Sequence, residues 1–139
     1  MADQRKDLVA TFYDEVMTGG NLDRIPELCT EDVVDHEAPP EWPTGIEGVR
    51  QTMQMFRTAF PDLEATVEEA IQEGELVATR VHMTGTHEGE FQGIPPSHNK
   101  IDIETIDIIR LDGEKCAEHW GVSDNLLMMQ QIGAVPATA

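Results

Sequence analysis

Four runs in the second half of the chain constrain its fold more than any other feature: Leu63 to Ile71, Leu76 to His87, Ile101 to Leu111 and Lys115 to Ser123. Each is strand-like, and Glu73-Gly74 and Asp112-Gly113 supply turn signals between neighbouring runs. Antiparallel pairing is the economical way to connect runs so closely spaced. The segment between the second and third runs, Glu88 to Lys100, has the sequence EGEFQGIPPSHNK. It is too rich in Gly, Pro and polar residues for a regular strand and reads as an extended loop at the sheet's end. Phe91, Ile94, Pro95 and Pro96 give it an apolar side of restricted backbone freedom, suited to covering a pocket mouth.

The first half has helical periodicity. Leu8, Val9, Phe12, Val16 and Met17 fall on one face of a helix from Gln4 to Thr18, which Gly19 and Gly20 end. Asn21 or Asp23 caps a shorter helix through about Cys29, with Pro26 in the first turn, where its missing N–H is not required. Val33 to Glu37 follows as a short strand, and Ala38 to Gly45 as a proline-rich loop. A third helix carries Ile46, Val49, Met53, Phe56 and Phe60 until Pro61 stops it, and Ser123 or Asp124 caps a last helix through Ile132, closed by Gly133. Helices first and strands afterwards imply α+β architecture, with the helices on one face of a curved antiparallel sheet and residues 1–139 forming one domain.

Composition narrows the partners. Nine basic residues against 27 acidic ones give a formal net charge of −18, which repels phosphate backbones and anionic membrane faces, so neither nucleic acid nor a membrane is expected. No run approaches the roughly 20 apolar residues of a membrane span, and MADQRKDLVATFYDE lacks the apolar core of a secretory signal; the expectation is a cytoplasmic protein. Cys29 and Cys116 lie far apart without CxxC spacing and read as free, buried thiols. His82, His87 and His98 belong to no HxxxH pattern or carboxylate pair of ligand spacing, so no metal and no other cofactor is expected.

Three blocks in order, GTHEGEFQGIPP at 85–96, DIIRLDGEK at 107–115 and EHWGVSDNL at 118–126, resemble the SnoaL-like polyketide cyclase, or ester cyclase, family. GGNLDRIPELCTEDVVDH at 19–36 is similar to the same family's helix, turn, helix and strand. The resemblance covers nearly the whole chain and implies the cone-shaped nuclear transport factor 2-like fold, shared with ketosteroid isomerase and limonene epoxide hydrolase. It fixes a scaffold before it fixes a reaction. Comparison with the isomerase pattern implies a phenol role for Tyr13, a protonated-aspartate role for Asp107 and a catalytic-base role near Glu37. The cyclases' acid/base aspartate in the last strand corresponds here to Gly121. The Asp-His recurring at the end of the cyclases' first strand would instead favour His36 over Glu37.

Strand alternation sorts further candidates. Arg80, His82 and Thr84 share one side of their strand and Thr79, Val81 and Met83 the other; the polar set is taken as the pocket wall. Thr105 and Asp107 share the inner face of the next strand, and His119, Gly121 and Ser123 that of the last, so that Asp107 and His119 meet across the pocket. A carboxylate within the run of Ile106, Ile108 and Ile109 shifts its pKa or finds a partner. Arg80 would pair with Asp107 or Glu37, or hold a substrate oxygen. His119 would exchange protons near neutral pH. Tyr13 would donate a hydrogen bond from helix one, and Trp42, Met53 and Phe56 would line a pocket for a ring system. Val77, Val81 and Met83 would then present apolar surface opposite the pocket and make the chain a homodimer.

The reading is cofactor-free acid/base chemistry on a small apolar carbonyl or ring substrate, by aldol cyclisation or isomerisation. A non-catalytic small-molecule-binding domain is the competing class. Epoxide hydration ranks third, because the Asp, Arg, Asp set around a water lacks an inward second aspartate.

Overall fold

The computed structural model describes residues 4–136. Helix α1 (Gln4–Thr11) continues into a π-helical segment, Phe12–Thr18, which buries Tyr13, Val16 and Met17. A 3₁₀ turn at Leu22–Arg24 leads into the single-turn α2 (Ile25–Leu28), with Pro26 in its first turn as expected. Strand β1 (Cys29–Asp35) precedes α3 (Gly45–Ala59); then come β2 (Glu64–Glu73), β3 (Leu76–Thr86), β4 (Lys100–Asp112), β5 (Lys115–Ser123) and α4 (Asn125–Gln131). Asp124 caps α4 by accepting a hydrogen bond from the Leu127 backbone N–H at 3.3 Å. Among the described residues no helix is long and apolar enough to cross a membrane.

The five strands form one sheet in the order β1-β5-β4-β3-β2. The four strands of the second half pair antiparallel, as their turn signals require. The first strand instead joins β5 in parallel, with Asp35 opposite His119 and Cys29 opposite Cys116. The two cysteines are therefore neighbours in space, a juxtaposition their distance along the chain conceals.

Burial alternates strictly along β3 and β4. Val77, Thr79, Val81 and Met83 face the helices together with Ile101, Ile103, Thr105, Asp107 and Ile109. This corrects the face chosen for β3. The register pairs Thr79 with Asp107 and Val81 with Thr105, and directly paired residues project to the same side of a sheet. Arg80 and His82 consequently lie on the outer, convex face, because the face that packs on the helices has to be mainly apolar. The homodimer argument placed its apolar surface on Val77, Val81 and Met83, but these form part of the core. The convex face has its own apolar patch in Ile106, Ile108, Trp120 and Val122.

The segment after β3 is fixed to the core. Glu88 and Gly89 donate backbone hydrogen bonds to the Ala59 carbonyl at 3.0 and 3.1 Å, and a Cβ on Gly89 would overlap the Thr58 carbonyl oxygen. Phe91 is buried between Phe56 and Phe60, with ring centroids 5.7 and 5.5 Å away. His87, fully buried, exchanges backbone hydrogen bonds with Asn99 and His98, and its Nδ1 meets the Ser97 hydroxyl at 2.9 Å. The segment thus supplies wall to the interior through Phe91 and Gln92.

Candidate active site

Between the concave face of the sheet and the helices lies a cavity of about 590 Å³, which falls within the range of small-molecule sites. Most of its lining is apolar, from Phe12, Trp42, Met53, Met55, Phe56 and Ile103 among others, so the sequence-derived ring-binding residues Trp42, Met53 and Phe56 all reach it. The polar exception is a connected cluster on β4, β5, the end of β1 and the first helix.

Asp107 is its centre and is 6% exposed. The Tyr13 hydroxyl donates to its Oδ2 at 2.6 Å and the Thr105 hydroxyl to the same oxygen at 3.2 Å. Thr79 lies 3.2 Å from the Tyr13 oxygen, and because that phenol's proton goes to Asp107, the threonine is the donor there. His119 places Nε2 at 3.0 Å from Asp107 Oδ1 and Nδ1 at 2.9 Å from Asp35 Oδ1. An imidazole held at both nitrogens by carboxylates binds a proton on each. Burial works against its charge, but the hydrogen bonds and negative charges of Asp107 and Asp35 outweigh burial and raise its pKa to about 10. Asp35 is also disfavoured as an anion by burial; hydrogen bonding and attraction to His119 prevail and lower it.

Glu37 completes the cluster. The residue is exposed at the cavity mouth, yet its carboxyl group reaches inward, and its ligand atom, one of Asp107 and one of His119 all lie within 4.8 Å of one another. Burial pushes its pKa up against the attraction of His119, and the Asp107 and Asp35 charges add to the rise, while a hydrogen bond with Ser123 opposes it. Gly121 sits directly beneath: a Cβ there would overlap a carboxylate oxygen of Glu37 and one of Asp107. Burial and the neighbouring Asp107 also raise the Tyr13 phenol well above its ordinary value, so it remains a donor at neutral pH. Cys29 and Cys116 line the cavity too, hydrogen-bonded to one another, with the shared bond lowering Cys29 and raising Cys116.

The structure thus brings together Asp107, His119, Glu37, Tyr13 and Thr105, and separates the other polar candidates from them. Arg80 pairs with Glu69 and Glu104 on the convex face, at 3.5 and 3.4 Å, and meets neither Asp107 nor Glu37. His82 binds Asp102 at 2.6 Å on that same face. His36 also points outward: its ring stacks on Trp120 at 5.0 Å and its Nε2 meets Glu118 at 2.7 Å. Alternation at the end of β1 turns Asp35 and Glu37 inward and His36 outward, which settles the choice in favour of Glu37. Sequence reasoning missed Asp35, although it stands two residues before Glu37 and so shares its side. It also missed the convergence of Glu37, Asp107 and His119, a donor set that a divalent cation could use, because the three come from separate elements and have no ligand spacing. In the geometry present, the His119 proton lies between the imidazole and Asp107.

The family of SnoaL-like polyketide cyclases matches residues 7–132 of the chain. IdmH from Streptomyces antibioticus, provisionally assigned as a polyketide cyclase, is 36% identical over 94% of this chain and 99% of its own, with a TM-score of 0.81. TsrD from Streptomyces laurentii superposes with a TM-score of 0.87 at 24% identity, covering 95% of this chain and 96% of its own. A SnoaL-like polyketide cyclase from Agrobacterium tumefaciens has a TM-score of 0.77 at 18% identity, with 92% and 97% covered. The last two are likenesses of fold. Among proteins of curated function, none matches the chain by sequence.

Proposed function

Because the chain belongs to the SnoaL-like polyketide cyclase family, we propose that it is an enzyme that closes or isomerises a ring on a small, largely apolar, carbonyl-bearing substrate by cofactor-free acid/base chemistry. The observation that carries this reading is the pair Asp107 and His119, 3.0 Å apart on the wall of an otherwise apolar cavity. Such a cavity desolvates a substrate while presenting a few fixed proton-handling groups to it.

In this reading a carboxylate of the cluster takes a proton from the carbon beside a substrate carbonyl. The His119 imidazolium donates a hydrogen bond to the oxygen as it becomes an enolate, and attack of that enolate on a second carbonyl closes the ring. The proton taken first returns to the new alkoxide, or in an isomerisation to a different carbon, so the cluster ends as it began. Asp35 orients the imidazole through Nδ1, and Tyr13 and Thr105 orient Asp107. Epoxide hydration is disfavoured, since no arginine lines the cavity among the described residues and Arg80 is on the convex face.

The test is turnover of a methyl-esterified poly-β-ketone, followed by chromatography for a ring-closed product of unchanged mass or one lighter by water. Asp107→Asn should lower turnover about 100-fold to 10,000-fold while ligand affinity is largely retained. A wild-type protein that binds such esters without converting them, and binds them more weakly as Asp107→Asn, would establish the binding-domain alternative instead.

We also propose that a second copy covers the convex patch of Ile106, Ile108, Trp120 and Val122, the dimer reassigned to the face that is apolar and exposed. Ile108 pairs with Trp120 and Ile106 with Val122 in register, so the four side chains are contiguous, and a self-complementary patch closes as a symmetric pair.

A further inference from the structure

Two carboxyl groups reach His119 from the cavity side, and they are not equivalent. Asp107 has its lone pairs committed to three donors, Tyr13, Thr105 and His119, on a strand in the middle of the sheet. It cannot turn toward a ligand without breaking them. Glu37 follows the end of β1, carries three side-chain torsions and has Ser123 as its neutral partner. Its carboxyl group stands over Gly121, in space that any β-carbon at that position would claim. This glycine is mid-strand, with Asp107 directly opposite and no turn to make, so its backbone freedom explains nothing about its presence.

We propose that Gly121 is a positioning residue: by offering no side chain it seats the Glu37 carboxyl group against Asp107 and His119, making Glu37 the member of the carboxylate pair that exchanges a proton with the ligand. The exchange rests on the acid/base reading above; the seating does not. Two carboxyl groups this close, with one imidazolium between them and Asp35, favour retention of a proton on the less firmly held member. Burial and the Asp107 charge act on Glu37 in that direction. The groups around it that carry or gain charge are His119 on β5, Asp107 on β4, Asp35 on β1, Tyr13 on the first helix and Glu41 at the mouth.

An NMR titration of the protein labelled with ¹³C at the glutamate carboxyl carbons tests the seating without a substrate. In the wild type one resonance, absent from Glu37→Gln, should titrate above the other glutamates. In Gly121→Ala the added methyl should displace the flexible Glu37 arm rather than the pinned Asp107, and that resonance should fall back among the rest while the protein stays folded. Asp107→Asn should also lower it; if Gly121→Ala does not fold, this variant and the wild type decide the matter. An ordinary Glu37 titration in the wild type, or one that Gly121→Ala leaves unmoved, would overturn the proposal. With a substrate in hand, Gly121→Ala, Glu37→Gln and the double variant should lose the same factor in kcat; a double variant that loses the product of the two would overturn it as well. Undiminished turnover by Asp107→Asn and His119→Gln would instead sink the acid/base reading and leave the titration standing, so the two failures are distinct.

Discussion

The sheet makes the same pair twice, once on each face. On the convex side His82 meets Asp102 at 2.6 Å with both side chains in solvent, and on the concave side His119 meets Asp107 at 3.0 Å in the cavity wall. Distance does not separate them; surroundings do. His82 exchanges protein partners for water at little cost and gains little from its aspartate. His119 has given up water and is held between two carboxylates, one of which is held in turn by a phenol and a threonine. A short contact is therefore poor evidence of importance, and the number of further bonds that depend on it is better evidence.

The largest effect that would sharpen this contrast is on stability. Asp107→Ala leaves the Tyr13 and Thr105 hydroxyls without their acceptor and a buried imidazole with one carboxylate, which should cost about 3–5 kcal/mol in urea unfolding. Asp102→Ala should produce no measurable change, and a comparable loss there would break the comparison.

Next in size is pH dependence. The folded-state pKa of His119 is raised to about 10 from its ordinary 6.5, so its contribution to stability is complete below the unfolded value and declines as pH rises toward about 10. Thermal melts of the wild type and His119→Gln should converge across that window. His82→Gln should track the wild type throughout it, since its imidazole remains in solvent.

Much of the fold was legible because the helices obey a 3.6-residue period and the later strands are bounded by turns. Alternation divided each strand into two faces correctly. It could not say which face was inward, because that depends on register, a relation between distant segments. Arg80 and His82 were assigned to the pocket for their polarity, whereas the inner face of their strand is apolar except for Thr79 opposite Asp107. Asp107, Thr105 and His119 were found because an ionisable residue within an apolar run is conspicuous. Asp35 was missed because its strand is short and its parallel pairing with β5 leaves no turn to announce it.

The convex face offers a further test. Trp120→Glu with Ile108→Glu should shift association at least about tenfold toward monomer, read by light scattering at micromolar concentration, on the order of 1.4 kcal/mol. A monomeric wild type in the same experiment would end the proposed pairing. The smallest effect belongs to the concave side: Thr105→Val removes one of three donors to Asp107 and should cost about 1 kcal/mol in denaturant unfolding. No loss at all would mean that Tyr13 and His119 suffice to hold the carboxylate.

The π-helical stretch from Phe12 to Thr18 makes the number of residues in the first helix as consequential as their identity. Gly19 donates its backbone N–H to the Asp14 carbonyl five residues earlier, at 2.9 Å, so this turn contains one residue more than an α-turn. Because Asp14 and Glu15 are the outward members of that turn, exchanging their side chains alters little, whereas deleting either would rotate everything after it by about 100°. Val16 and Met17 would leave the core, and the Thr18 hydroxyl would lose its bonds to the Ala65 backbone. Inheritance at this point of the chain is thus permissive to substitution and intolerant of a frame-preserving codon loss.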